Sequence, residues 1–404
     1  MFGIDLENYF RDLWTVAGGM ALAMAIDFIY YLLVGRLLGP EDFGVFASVL
    51  AIYYVAVRAP FKSLEMTAKK IEAEGKDAFT RLGKSSLYSG IGIWLVFLLL
   101  SPVLSRVFRI PLATLYVFSL IFPLAYLLPV LLGRLQGRER FREYAMYEIA
   151  GSLFAFSAII LVLKGYGPAG AVAAPVLEIA TGFAFVYLLA RPVMGEGSFV
   201  NHRLLLRSAI QVAAVSAAFS LDIMLLQLYK PSSTVGLYNA VSVFGKGIFF
   251  SAVALNRSVF PKFVKNDSGR KSLLHISLLL LALGAAASYT VFSFFGSRLL
   301  TLTFGPEYAA AAEFAPLYML FISAVSAVAL TGNYYLSFDR QNLWLILLMP
   351  VLQVAGIVLF HDTVTQVVSV GLAASLLTLT LLYLPVLEPG KVKEKILHSS
   401  WSYG

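Results

Sequence analysis

Long apolar stretches alternate with short polar ones along the whole chain. Runs of apolar residues fall at 14–38, 43–64, 85–105, 111–133, 143–164, 168–190, 204–229, 234–260, 272–303, 308–336, 341–360 and 364–387. Each is long enough to cross the hydrocarbon of a bilayer as a helix, which takes about 18 residues or more. Inside lipid every backbone N–H and C=O must find a partner within the protein, which these runs can do as helices. The pattern therefore predicts an all-α polytopic membrane protein with about twelve transmembrane helices. The longest polar joint, EMTAKKIEAEGKDAFTRLGKSS (65–86), has helical periodicity and mixed charge. It predicts an amphipathic helix lying on the membrane face. No joint is long enough for a soluble domain.

Composition agrees. Of 404 residues, 59% are hydrophobic and 13% charged, and the mean hydropathy is +0.81, whereas a soluble domain is nearer half apolar and a quarter charged. The first apolar run continues at spanning length, which is not the form of a cleaved signal peptide. The absence of cysteine excludes disulfides, thiolate metal sites and a cysteine nucleophile. A net charge of +8 would suit nucleic acid in a soluble chain, but here its placement decides. With the N-terminus in the cytoplasm, 24 of the 31 basic residues fall on the cytoplasmic side and six on the other, with Lys246 in mid-span. That asymmetry over short joints sets the orientation. Both termini are expected in the cytoplasm, in the inner (cytoplasmic) membrane, and no nucleic-acid partner is expected.

The chain also repeats itself. AIDFIYYLLVGRLLGPEDFGVF (25–46) places Asp27 inside an apolar run, then a turn, then Gly44 and Phe46. SLDIMLLQLYKPSSTVGLY (220–238) does the same with Asp222, Gly236 and Tyr238. Gly44 and Gly236 are 192 residues apart; Gly133 and Gly332, which open matching Gly…acid…Arg stretches, are 199 apart. Two halves of six spans account for these offsets. Six is even, so the halves are parallel repeats related by a pseudo-two-fold axis along the membrane normal. The division expected is a six-helix lobe over 1–193, a Gly-rich polar linker at 194–203, a second six-helix lobe over 204–390 and a cytoplasmic tail over 391–404.

Four motifs in order resemble one family. GRLLGPEDFGVFASVLAIYY, LDIMLLQLYKPSSTVGLYNAV, FGPEYAAAAEFAPLYML and KGYGPAGAVAAPVLE are similar to the signatures of polysaccharide transporters. These are the lipid-linked oligosaccharide flippases of the multidrug/oligosaccharidyl-lipid/polysaccharide flippase superfamily. The resemblance implies two six-helix lobes around a central cavity that opens alternately to each side. One stretch departs from it: VRAPFKSLEMTAKK carries Arg58, Pro60 and Lys62 where relatives are small, Gly-rich or acidic.

Ionisable residues inside spans are costly and ask for a reason. Asp27, Glu148 and Glu178 put three acids in the first half and Asp222 one in the second; these are the candidates for a coupling cation, Na⁺ or H⁺. The bland alternative is an acid hydrogen-bonded at a helix contact. Lys246 lies about eleven residues into its span, too deep to snorkel. With Arg58, Lys62 and Arg257, and with Asn239 and Asn333 as hydrogen-bonding groups, it could bind an anionic substrate; the alternatives are pairing of Lys246 with Asp222 and interfacial snorkelling of the others. No metal site and no resident cofactor are expected.

These features predict a flippase and not an enzyme. It would carry a lipid-diphosphate-linked oligosaccharide across the membrane by alternating access, coupled to an ion gradient. Its partners would be that substrate and membrane lipids, and it would act as a monomer. A cation-coupled multidrug exporter of the same fold is the first alternative; a basic residue as deep as Lys246 argues against it. A polytopic glycan polymerase or glycosyltransferase is the second. The short, charge-poor outer joints and the scattered His202, His275, His361 and His398 give it no site, and no phosphate-binding loop is present for ATP hydrolysis.

Overall fold

The computed structural model describes residues 6–190, 210, 212–265, 269–337 and 341–387. The expected linker at 194–203 and the tail at 391–404 lie outside the described residues. Nearly everything described is helical. Among the described residues eight helices are long and apolar enough to cross a membrane. Two of these, Gly18–Ala73 and Phe141–Leu189, each hold two of the apolar runs. The first breaks at Gly39, whose φ of 71° only glycine adopts readily, and restarts at Pro40, a residue suited to a helix start. The second breaks at Gly165 and Gly167, both at positive φ. With Ser232–Lys265 and the shorter Trp344–Leu359, every apolar run corresponds to helix.

The joint at 65–86 is not a separate surface helix. The second span runs on through Ala59–Ala73, and the third begins at Phe79, leaving a turn around Lys76. The reason lies in packing. Gly133 and Gly137, four residues apart at the end of Phe122–Gly137, have no side chains, so the helix lies directly on Ala59–Ala73. A Cβ on Gly133 would stand 2.5 Å from the Glu65 carbonyl oxygen, and one on Gly137 2.6 Å from that of Lys69. This is the small-residue contact of membrane helix pairs. Charges then fix the turn. Arg134 reaches Asp77 at 2.9 Å and Glu72 at 3.5 Å, while Arg138 reaches Glu72 at 2.7 Å.

The seventh span also breaks. Ser220 leaves helical geometry (φ −140°, ψ −24°), and Leu221–Tyr229 starts again after it. The tenth is preceded by a 3₁₀ turn, Pro306–Glu313, after Gly305 at φ 125°.

Two compact units emerge. One holds residues 1–244 and 295–313, the other 245–294 and 314–404. Two of their boundaries fall inside Ser232–Lys265 and Arg270–Thr303, and the third falls between Pro306–Glu313 and Ala315–Leu336. In the second unit, Gly245 admits the Tyr318 ring, which stands 2.5 Å from where a Cβ would lie. That contact seats the helix bearing Lys246 against Ala315–Leu336.

Candidate functional site

The three acids of the first half come together in the first unit, and helix periodicity explains how. Glu148, Gly151 and Ser152 share one face of Phe141–Phe156. Ser152 donates a hydrogen bond to Asp27, which lies within Coulombic reach of Glu148. Glu178 lies over Gly151, its Cγ 3.3 Å from where a Cβ would be, and interacts electrostatically with both other acids. Phenols surround the group. Tyr144 donates to Glu148, Tyr31 and Tyr54 hydrogen-bond to each other, and Tyr53 and Tyr147 both sense Glu178. Tyr30 ties the first span to the sixth by donating to the Ala171 carbonyl at 2.7 Å. Among the described residues no three His, Asp or Glu side chains are arranged to hold a metal ion.

Arg58 and Lys62 belong to the same neighbourhood. Both act electrostatically on Glu178. Arg58 also lies over the Tyr54 ring, 5.3 Å from its centroid, and Lys62 pairs with Glu65 at 2.7 Å. The structure thus brings these two bases to the first-half acids, a grouping that spacing along the second span did not reveal.

Asp222 is used differently. It is buried in the first turn of Leu221–Tyr229, where the helix N-terminus favours negative charge. It accepts the Tyr238 hydroxyl at 2.5 Å and the Ile223 backbone N–H at 2.8 Å. Asn239 is fully buried, and among the described residues neither of its amide atoms has a hydrogen-bond partner. Lys246 is 5% exposed, in the second unit with the half-buried Asn333. The Arg257 side chain lies outside the described residues.

A cavity of about 630 Å³ in the first unit is lined by Val55, Ala59, Pro60, Ser63, Ser86 and Tyr126, among others. Among the described residues no charged side chain lines it, and of the residues singled out from the sequence only Pro60 does.

The family of polysaccharide biosynthesis proteins matches residues 13–267, well over half of the chain. The chain belongs to that family. No curated protein matches it in sequence, but solved structures share its fold. The lipid II flippase MurJ in an inward closed conformation is 10% identical with a TM-score of 0.74, covering 92% of this chain and 87% of its own. An inward-facing multidrug resistance MATE transporter of the MOP superfamily is 13% identical with a TM-score of 0.70, covering 94% and 96%. A MOP superfamily transporter from Pyrococcus furiosus, described as having a binding pocket of reversed polarity, is 13% identical with a TM-score of 0.63, covering 93% and 95%. This member of the polysaccharide biosynthesis family is therefore a multi-pass membrane protein with the two-lobe fold of those transporters. The relatives in structure are transporters, not enzymes.

Proposed function

We propose that this protein is a flippase that moves a lipid-diphosphate-linked oligosaccharide from the cytoplasmic to the outer leaflet by alternating access. The observation that carries this reading is Lys246, a cation almost wholly buried in a chain of the polysaccharide biosynthesis family. A charge so placed serves a substrate or a structural pair. For a diphosphate the Coulombic gain is substantial: two unit charges 4 Å apart attract by about 4 kcal/mol at an effective dielectric of 20. That offsets part of the lost hydration and still permits release. Asn333, Asn239 and Arg257 are the further groups we assign to the polar head. The lipid tail stays in the bilayer, and no covalent step is needed.

The acids Asp27, Glu148 and Glu178 are the proposed coupling group. Three carboxylates within Coulombic reach repel one another, and a proton or Na⁺ joining them relieves that repulsion. Arg58 and Lys62, which act on Glu178, would tie the charge state of this group to the second span. We assign Asp222 to the structure of the seventh span, since the Tyr238 hydroxyl and the helix N-terminus are among its partners.

Binding tests the role of Lys246. Purified Lys246→Gln should lose at least tenfold in affinity for a lipid-diphosphate glycan at unchanged thermal stability, and Lys246→Arg should keep part of it. Unchanged affinity in Lys246→Gln would contradict the assignment. If instead the multidrug reading held, the native protein would bind lipophilic cations and not the diphosphate lipid.

A further inference from the structure

A fourth acid lies between the buried acids of the first unit and one end of it. Glu65 follows Lys62 by three residues on the second span and is 6% exposed. Its carboxylate pairs with Lys62 at 2.7 Å and accepts the Gln136 amide N–H at 2.5 Å. It also acts electrostatically on Tyr144 and Tyr147 of Phe141–Phe156. Tyr144 in turn donates to Glu148, one helical turn further on. Away from the acids, the amide oxygen of Gln136 accepts a hydrogen bond from the exposed Lys69 at 3.3 Å. Polar side chains therefore follow one another from the acids through Tyr144, Glu65 and Gln136 to Lys69. The close contact of Gly133 with the Glu65 carbonyl sets Phe122–Gly137 against this stretch and holds Glu65 in place. The charged and titratable groups that face Glu65 include Lys62 on its own helix and the two phenols of Phe141–Phe156; Gln136, on Phe122–Gly137, is neutral.

We propose that Glu65 is the relay through which protons reach the coupling acids from the end of the protein that bears Lys69. This rests on the coupling role assigned above to Asp27, Glu148 and Glu178, and it makes the coupling ion a proton. Ionisable residues buried in a span and chained by hydrogen bonds are the usual parts of a proton relay. The Glu65 carboxylate takes a proton from water and passes it, through a bridging water, to the Tyr144 oxygen. The Tyr144 hydroxyl proton moves at the same time to the Glu148 carboxylate. Glu148 ends protonated, and Glu65 and Tyr144 are as they began. Lys62 keeps Glu65 ionised between transfers, and it also acts on Glu178, so one cation senses both ends of the relay. A fixed Na⁺ suits this place less well. Tyr144 and Ser152 donate to Glu148 and Asp27 and occupy lone pairs that a hard cation would use. Arg58 and Lys62 act on Glu178 and repel a cation there, whereas a proton becomes part of the carboxyl group.

Infrared spectroscopy after a jump from alkaline to acid pH, on the full chain in lipid bilayers without substrate, reads the carbonyl stretch of carboxylic acids as they form. The part of that signal missing from Glu148→Gln belongs to Glu148. Glu65→Gln should slow its rise at least tenfold at unchanged amplitude, and Glu65→Asp should restore part of the rate. Tyr144→Phe, which leaves the Lys62 and Gln136 bonds of Glu65 in place, should slow it likewise. Glu74→Gln, at an exposed acid paired with Lys76, should rise as the native protein does. A native rate in Glu65→Gln overturns the relay, and so does a smaller amplitude at the native rate, the mark of a merely structural acid. Should Glu65→Gln fail to fold, a native rate in Tyr144→Phe overturns it alone. A native protein with no Glu148 signal overturns it as well. Because protonation is read without substrate, a fast Glu65-dependent rise in a protein that moves no lipid-linked glycan would contradict the flippase reading and leave the relay standing.

Discussion

Asp222 meets the hydroxyl of Tyr238, whereas the matching aromatic of the first half is Phe46, which has none. The Gly-Leu-Tyr and Gly-Val-Phe triplets thus already carried a difference between two acids that otherwise look equivalent, though neither triplet says where the aromatic points. Asp27 is instead served by Ser152 and crowded by Glu148 and Glu178, residues of spans far apart in sequence. No spacing rule could have gathered them, because lipid-facing helices are apolar all round and do not advertise their neighbours. Two outcomes follow. Tyr238→Phe should lower unfolding stability by about 1–3 kcal/mol, the cost of a buried acceptor left unsatisfied, and leave ion dependence intact. Unchanged melting in detergent would remove Asp222 from a structural role. Asp27→Asn, Glu148→Gln and Glu178→Gln should each weaken the dependence of transport on a Na⁺ or proton gradient in reconstituted vesicles. Full gradient dependence in all three would rule the cluster out.

At the scale of helices, length and hydropathy placed every span, because the thickness of a bilayer is a strong constraint. They did not show that the second helix runs on to Ala73, nor that the seventh breaks at Ser220. The first depends on the Gly133–Gly137 contact and on Arg134, which only the folded chain brings beside Glu72 and Asp77. Burial pushes the Asp77 carboxyl up, but the Thr80 hydroxyl, the backbone N–H groups of Thr80 and Phe79, and Arg134 outweigh it and hold it below its ordinary value. A lowered folded-state pKa adds stability above the unfolded value, about 3.9. That stability is lost as pH falls through the folded value. Asp77→Asn should therefore melt lower than the native protein at neutral pH, and the gap should close in strong acid. A gap independent of pH would show that Asp77 acts through its shape alone. Gly133→Leu should cost at least 1–3 kcal/mol by overpacking, seen as a lower melting temperature; an unchanged one would dissolve the helix contact.

For the whole molecule, the repeat was legible as similar offsets along the chain, 192 and 199 residues, and its physical counterpart is the reciprocal approach of Gly44 to Ser232 and Gly236 to Pro40. The proposed orientation is open to a direct check. An impermeant thiol reagent should label Ser233→Cys and not Lys76→Cys in intact cells; the reverse pattern would invert the protein in the membrane. The claim that matters most is movement of the lipid-linked glycan itself. Vesicles loaded on one leaflet with a fluorescent lipid-diphosphate oligosaccharide, and challenged from the other side with an impermeant quencher, measure it. The account predicts that the native protein exposes the trapped pool, that an imposed ion gradient speeds this, and that Lys246→Gln slows it at least tenfold. A pool that stays protected in the presence of folded native protein, under either direction of gradient, would contradict it.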